Sequence, residues 1–151
     1  MSIKPLSSQI VQSCFGVPRI LVVDDSEDNL LLLTQALEIF ECEIITARDG
    51  LEALTWVSDR PPDLILLDIV MPRLNGIELM RCLQSLSPQR RIPIVAVTGL
   101  ALAPERELIL QAGCDDYLVK PFLLRDLETI VCRYLGHRFG VSDPCCLVKS
   151  L

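Results

Sequence analysis

From residue 19 onward, five short apolar runs alternate with helical patterns, and this alternation constrains the fold more than any other feature of the chain. Arg19–Asp24 (RILVVD) reads as a buried strand, and Ser26 opens a helical stretch to about Phe40. Cys42–Ala47 is a second strand, followed by an Asp49-Gly50 turn and a helix to about Ser58. Pro61-Pro62 breaks the chain ahead of the third strand, Asp63–Asp68 (DLILLD). Beyond Met71-Pro72 and Asn75-Gly76, a helix sets Leu79, Met80, Leu83 and Leu86 along one face. Ile92–Thr98 is the fourth strand, and Pro104 stands in the first turn of the next helix, where its missing N–H costs nothing. Asp116–Lys120 is a short fifth strand. A final helix, Leu123–Leu135, turns Leu124, Leu127, Val131 and Leu135 inward.

Strands alternating with helices imply a parallel sheet, and continuous Val/Ile/Leu runs imply burial on both faces. Right-handed crossovers make this a doubly wound, flavodoxin-like α/β fold, with the five strands in order 2-1-3-4-5 and helices on both faces. The pattern occupies residues 18–136; residues 1–17 read as an N-terminal arm and 137–151 as a short tail. With 14 basic and 20 acidic residues, a net −6, the chain lacks the clustered cations of a phosphate-backbone interface, so no direct nucleic-acid partner is expected. The charge-free stretches Pro5–Pro18 and Ile92–Pro104 fall short of a membrane helix, and no secretory signal opens the chain, so a cytoplasmic protein is expected. Seven cysteines, an odd number without CxxC, and the single His137 argue against both disulfides and zinc. Cys42, Cys82, Cys114 and Cys132 lie in apolar patterns and read as buried reduced thiols; Cys145-Cys146 near the end stand apart.

In such a sheet a ligand binds at the carboxyl ends of the strands, where the strand order reverses. The strand ends here carry Asp24-Asp25, Asp68, Thr98 and Lys120. Neighbouring strands lie about 4.8 Å apart, so three carboxylates crowd together, with Lys120 about 10 Å across the sheet from Asp68. Any one Asp could be a helix cap and Lys120 alone a surface lysine. Coincidence at four of five strand ends points instead to a site. Like charges at that spacing repel unless a cation intervenes, and an all-oxygen set with few protein ligands suits Mg²⁺.

The segments ILVVDDSEDN (20–29), LILLDIVMPRLNGIEL (64–79), IVAVTG (94–99) and AGCDDYLVKPF (112–122) resemble the receiver domain of bacterial two-component response regulators, whose single-domain type is the chemotaxis regulator. The resemblance implies Asp68 as phosphoacceptor. It implies Mg²⁺ held directly by Asp25, Asp68 and the backbone carbonyl of Val70, with Asp24 acting through water. It further implies Thr98 and Lys120 as phosphoryl ligands, a cis peptide between Lys120 and Pro121, and Tyr117 as a movable aromatic. Gly99 leaves room beside Thr98 for that movement. Val70 and Leu100 depart from the polar residues frequent at their positions, which implies a long phosphoryl lifetime.

The implied protein is a signalling switch and not an enzyme. A sensor histidine kinase or phosphotransfer protein would phosphorylate it, and it would signal to an effector protein through the fourth helix, fifth strand and fifth helix. A homodimer through that face, around Leu100, Leu102 and Leu123, is a further expected partnership. About fifteen residues follow Gly136, too few for an output domain. A phosphorelay intermediate is the nearest alternative. An aspartate-nucleophile phosphohydrolase needs Asp-x-Asp on the first strand, where this chain has Asp24-Asp25-Ser26. A scaffold with a vestigial pocket would have no use for Thr98 and Lys120.

Overall fold

The protein's structure, a computed structural model, describes residues 17–71, 74–86, 91–99, 107 and 109–136. Its main sheet comprises β1 (Arg19–Val23), β2 (Glu43–Ala47), β3 (Leu64–Asp68), β4 (Ile94–Thr98) and β5 (Asp116–Val119), all parallel, in order β2-β1-β3-β4-β5. The helices are α1 (Glu27–Leu37), α2 (Gly50–Asp59), α3 (Gly76–Leu86), α4, described at 107 and 109–111, and α5 (Leu124–Leu135). This is the doubly wound arrangement expected from the alternation, with element ends within a few residues of those read from the sequence.

Side chains alternate across each strand, and so divide the core in two. Leu21, Val23, Ile65, Leu67, Ile94 and Ala96 face α2 and α3, where Ala53, Val57, Met80 and Leu83 meet them, with Ile109 of α4 beside them. Ile20, Val22, Leu64, Leu66, Val95 and Val97 face the other way, onto Leu30, Leu33 and Leu37 of α1 and Leu127, Ile130 and Val131 of α5. Every residue of β3 and β4 is buried, as a central parallel strand requires. Among the described residues no helix is long and apolar enough to cross a membrane.

Three expectations need correction, and one element is new. Leu86, the last residue of α3, is 42% exposed and lines an open groove with Leu54 and Cys82. Leu124, the first residue of α5, is 46% exposed, and Ile130 takes its place in the buried stripe. A helical stripe marks a face, but its terminal residues are buried only where another element lies opposite. Cys82 is exposed, and Cys42 and Cys132 are only half-buried; only Cys114 is buried among the described cysteines. Finally, Val70–Met71 and Leu74–Asn75 pair as a two-residue antiparallel ribbon between β3 and α3, which sequence reasoning did not anticipate. Pro104, His137, Cys145, Cys146, the N-terminal arm to residue 16 and the tail lie outside the described residues.

Burial, aided by the Asp115 charge, pushes the Cys114 thiol from 9.0 up to about 11. The unfolded chain therefore gives up this proton first. The contribution to stability is complete below pH 9 and disappears as pH rises through about 11. A thiol-alkylating reagent at pH 8 should modify Cys82 in the native protein and Cys114 only after denaturant, read by peptide mass mapping. Equal native labelling of both would contradict this placement.

Candidate functional site

The register of the sheet brings the polar strand ends to one edge. Asp24 follows β1 directly, and its N–H donates to the Ala47 carbonyl at 3.1 Å. Asp68 ends β3 and pairs with Val97, while Thr98 ends β4 opposite Val119. Lys120 follows β5, its N–H donating to the Thr98 carbonyl at 2.8 Å. Alternation then separates these groups by face. Asp68 has the parity of Leu64 and Leu66, on the α1 and α5 side, whereas Thr98 has the parity of Ile94 and Ala96, on the α3 side. Tyr117 is half-buried against that second side, two residues along β5 from the partner of Thr98.

Oxygens of Asp24, Asp25 and Asp68 lie within 4.8 Å of one another. The Lys120 ammonium stands 3.7 Å from an oxygen of Asp24 and 3.7 Å from one of Asp68. Asp24 is only 1% exposed and Asp68 6%. One Asp24 oxygen accepts from the Ser26 N–H at 2.9 Å, and Ser26 in turn caps α1 by accepting from the Asn29 N–H. The other, Oδ2, is buried without a hydrogen-bond partner.

Magnitudes show what this cluster lacks. At an effective dielectric of about 20, three carboxylate repulsions of roughly 3 kcal/mol face two lysine attractions of about 4 kcal/mol. These nearly cancel, leaving nothing to offset desolvation of the buried carboxylates. One ammonium among three carboxylates leaves a formal −2, which a divalent cation balances. Asp24 Oδ2, ion-paired with Lys120 but without a hydrogen bond, supplies a buried acceptor for such an ion. The residues present therefore fit a hard divalent ion bound through oxygen.

The peptide between Lys120 and Pro121 is cis. Gly99 is exposed, and a Cβ built there would meet nothing within 4 Å, so no neighbour in this structure demands a glycine at that position. Val70 lies in the ribbon two residues past Asp68; its side chain and the whole of Leu100 fall outside the described residues. Sequence reasoning missed a cavity of about 450 Å³ beside Lys120, lined by Asn29, Leu32, Leu33 and Ala36 of α1 with Pro121, Phe122 and Leu124. Its only sequence signal was the run of four leucines at 30–33, of which two must face outward on a helix.

Residues 20–132 match the response regulator receiver domain. The chain is 40% identical over 118 residues to the polar-differentiation response regulator DivK of Brucella anthropi, spanning 78% of this chain and 95% of that protein. It is 38% identical over 135 residues to the sensor protein GacS of Pseudomonas syringae pv. syringae, spanning 87% of this chain but only 14% of GacS. Among solved structures it is similar to the receiver domain of the sensor histidine kinase PA1611 from Pseudomonas aeruginosa PAO1, which holds a magnesium ion in its active-site cleft. Identity there is 34% and the TM-score 0.72, over 80% of this chain and 99% of that one. The Vibrio cholerae chemotaxis protein CheY4 matches with a TM-score of 0.73 at 28% identity, over 80% of this chain and all of that one.

The repulsion at this edge has a measurable consequence. In metal-free buffer with a chelator, Asp25→Asn should stabilise the protein by about 1 kcal/mol, a rise of a few degrees in Tm, because it removes two like-charge contacts. A Tm at or below the wild type in chelator would show that the three carboxylates are not mutually destabilising.

Proposed function

Because this chain belongs to the response regulator receiver domain family, we propose that it is a phosphorylation switch of a two-component system with Asp68 as the acceptor. The observation that carries the reading is the Lys120 ammonium 3.7 Å from Asp68, at the rim of a three-carboxylate cluster. Asp68 is preferred over its neighbours on two grounds. It ends the central strand, flanked by β1 and β4, and it is less completely buried than Asp24, one oxygen of which is engaged in ordering the start of α1.

An oxygen of Asp68 attacks the phosphorus of the phosphodonor in line with its leaving group; the phosphorus–donor bond breaks, its electron pair leaves with the donor, and an acyl phosphate forms on Asp68. Lys120 neutralises charge on the equatorial oxygens, and Thr98, on the opposite face of the sheet end, donates its hydroxyl to a phosphoryl oxygen present only after transfer. Asp24, Asp25, Asp68 and the Val70 carbonyl are the groups that would hold Mg²⁺, which supplies the remaining charge neutralisation. Thr98 and Tyr117 share a face of the sheet, so a new hydrogen bond from Thr98 to the phosphoryl group is relayed to the α4–β5–α5 surface through Tyr117. A ligand shifts a conformational equilibrium only through such differential contacts.

Receiver domains work between histidine kinases and effectors. For this chain the donor is a histidine kinase or a phosphotransfer protein, and the reader of α4–β5–α5 is an effector protein. Leu32 and Leu124, both exposed, flank the cavity beside Lys120 and offer the donor an apolar seat within reach of Asp68. Passage of the phosphoryl group onward, as in a relay, uses the same groups in reverse.

With Mg²⁺ and a small acyl phosphate donor, one acid-labile phosphoryl group should appear on the chain by mass spectrometry, and Asp68→Asn should abolish it. Undiminished labelling of Asp68→Asn would remove Asp68 from the role. Lys120→Ala or Thr98→Ala should retain partial labelling but lose the accompanying chemical-shift changes at Tyr117; full wild-type changes in Thr98→Ala would break the coupling scheme.

The phosphoryl group should also be long-lived. Val70 and Leu100 cannot hydrogen-bond an attacking water, and loss of one positioning hydrogen bond corresponds to about fivefold in rate. Dephosphorylation after donor removal should therefore be several-fold slower in the wild type than in the Val70→Asn/Leu100→Glu variant. Equal rates would refute the shielding role.

A further inference from the structure

At the opposite edge of the sheet from the acidic cluster, the backbone carbonyl of Gly113 accepts two side-chain donors from distant parts of the chain. They are Gln84 Nε2 of α3, at 2.5 Å, and Arg91 Nη2, just ahead of β4, at 3.3 Å. Gly113 closes the last turn of α4, its N–H donating to the Leu110 carbonyl at 3.1 Å. Its φ is +113°, a backbone conformation that favours glycine, and a Cβ there would stand 2.7 Å from the Gln84 amide nitrogen and so displace the Gln84 side chain from this bond. Arg91 also pairs with Asp115 at 2.8 Å. Asp115 joins this loop to the start of β4, accepting from the Ile94 N–H at 2.9 Å and donating its own N–H to the Ile94 carbonyl at 2.8 Å.

The end of α4 is thus tied to α3, to the approach to β4 and to β4 itself, while Thr98 stands at the far end of β4. We propose that Gln84 and Arg91, acting on the Gly113 carbonyl, form the fixed end of the switch, holding the C-terminal turn of α4 while phosphorylation acts at the Thr98 end. This rests on the phosphoacceptor reading and adds to it the place where movement stops. A helix free at both ends answers a push by sliding, and its outward surface then changes little. A helix held at one end answers by tilting, and the change is greatest at the exposed surface. The grip is suited to this role, because a charged donor and an amide donor on one carbonyl hold more firmly than water does.

Hydrogen exchange of the full chain, with and without Mg²⁺ plus beryllofluoride as phosphoryl mimic, tests the proposal. In the wild type the mimic should change exchange at Tyr117–Lys120 while Gly113 and Asp115 change less than about twofold. In a Gln84→Glu/Arg91→Ala variant, which keeps the size of Gln84 but removes both donors, exchange at Gly113 and Asp115 should rise about tenfold without mimic. The mimic should still bind that variant through Asp68, yet its effect at Tyr117 should fall by half or more. Arg91→Lys, which keeps a cation beside Asp115, should recover part of the response. Wild-type changes at Gly113 and Asp115 as large as those at Tyr117, or a full response in the double variant, would overturn the fixed end and leave the phosphoacceptor reading intact. A mimic that alters exchange nowhere in the wild type would overturn both.

Discussion

The site depends first on the parallel register between β1 and β3. Ile20 pairs with Leu64 and Val23 with Leu67, so Asp24 and Asp68 emerge side by side at the same edge. A one-residue slip would send Asp68 to the α3 side and bring Leu67 to the acidic edge. What enforces the register is hydrophobic: each strand must satisfy two packed faces at once, and only one alignment does so. Burial of the leucines therefore sets the distance between carboxylates, and the repulsion between them is overruled by a core far larger than the site.

The same alternation that builds the core sorts the chemistry. Asp68, Asp24 and Lys120 gather on the side of α1 and α5, and Thr98 and Tyr117 on the side of α3 and α4. The charged cluster and the Thr98–Tyr117 pair thus occupy opposite faces of one sheet and meet at its carboxyl edge.

Much of this was legible in the sequence, and the reasons are local. Strands end where apolar runs end, so Asp24, Asp68, Thr98 and Lys120 could be placed at one edge without coordinates. Leu86, Leu124 and Cys82 were misjudged because periodicity tells which face a residue is on but not whether anything covers it there. The ribbon at residues 70–75 is too short to show a period. The bond from Gln84 to the Gly113 carbonyl joins residues 29 apart through a backbone atom, which leaves no trace in side-chain pattern. The lack of a hydrogen bond at Asp24 Oδ2 was invisible for a similar reason: sequence places a carboxylate but does not apportion its two oxygens.

The bond from the Ser26 N–H to Asp24 has a consequence for how such a domain decays. Asp24 orders the turn into α1 with one oxygen and faces the Lys120 ammonium with the other. In a descendant of this chain released from any chemistry at the pocket, loss of Asp24 would still loosen the start of α1, which packs Leu30, Leu33 and Leu37 into one face of the core. A surviving Asp24 would then be a relic of folding rather than a mark of chemistry at the pocket.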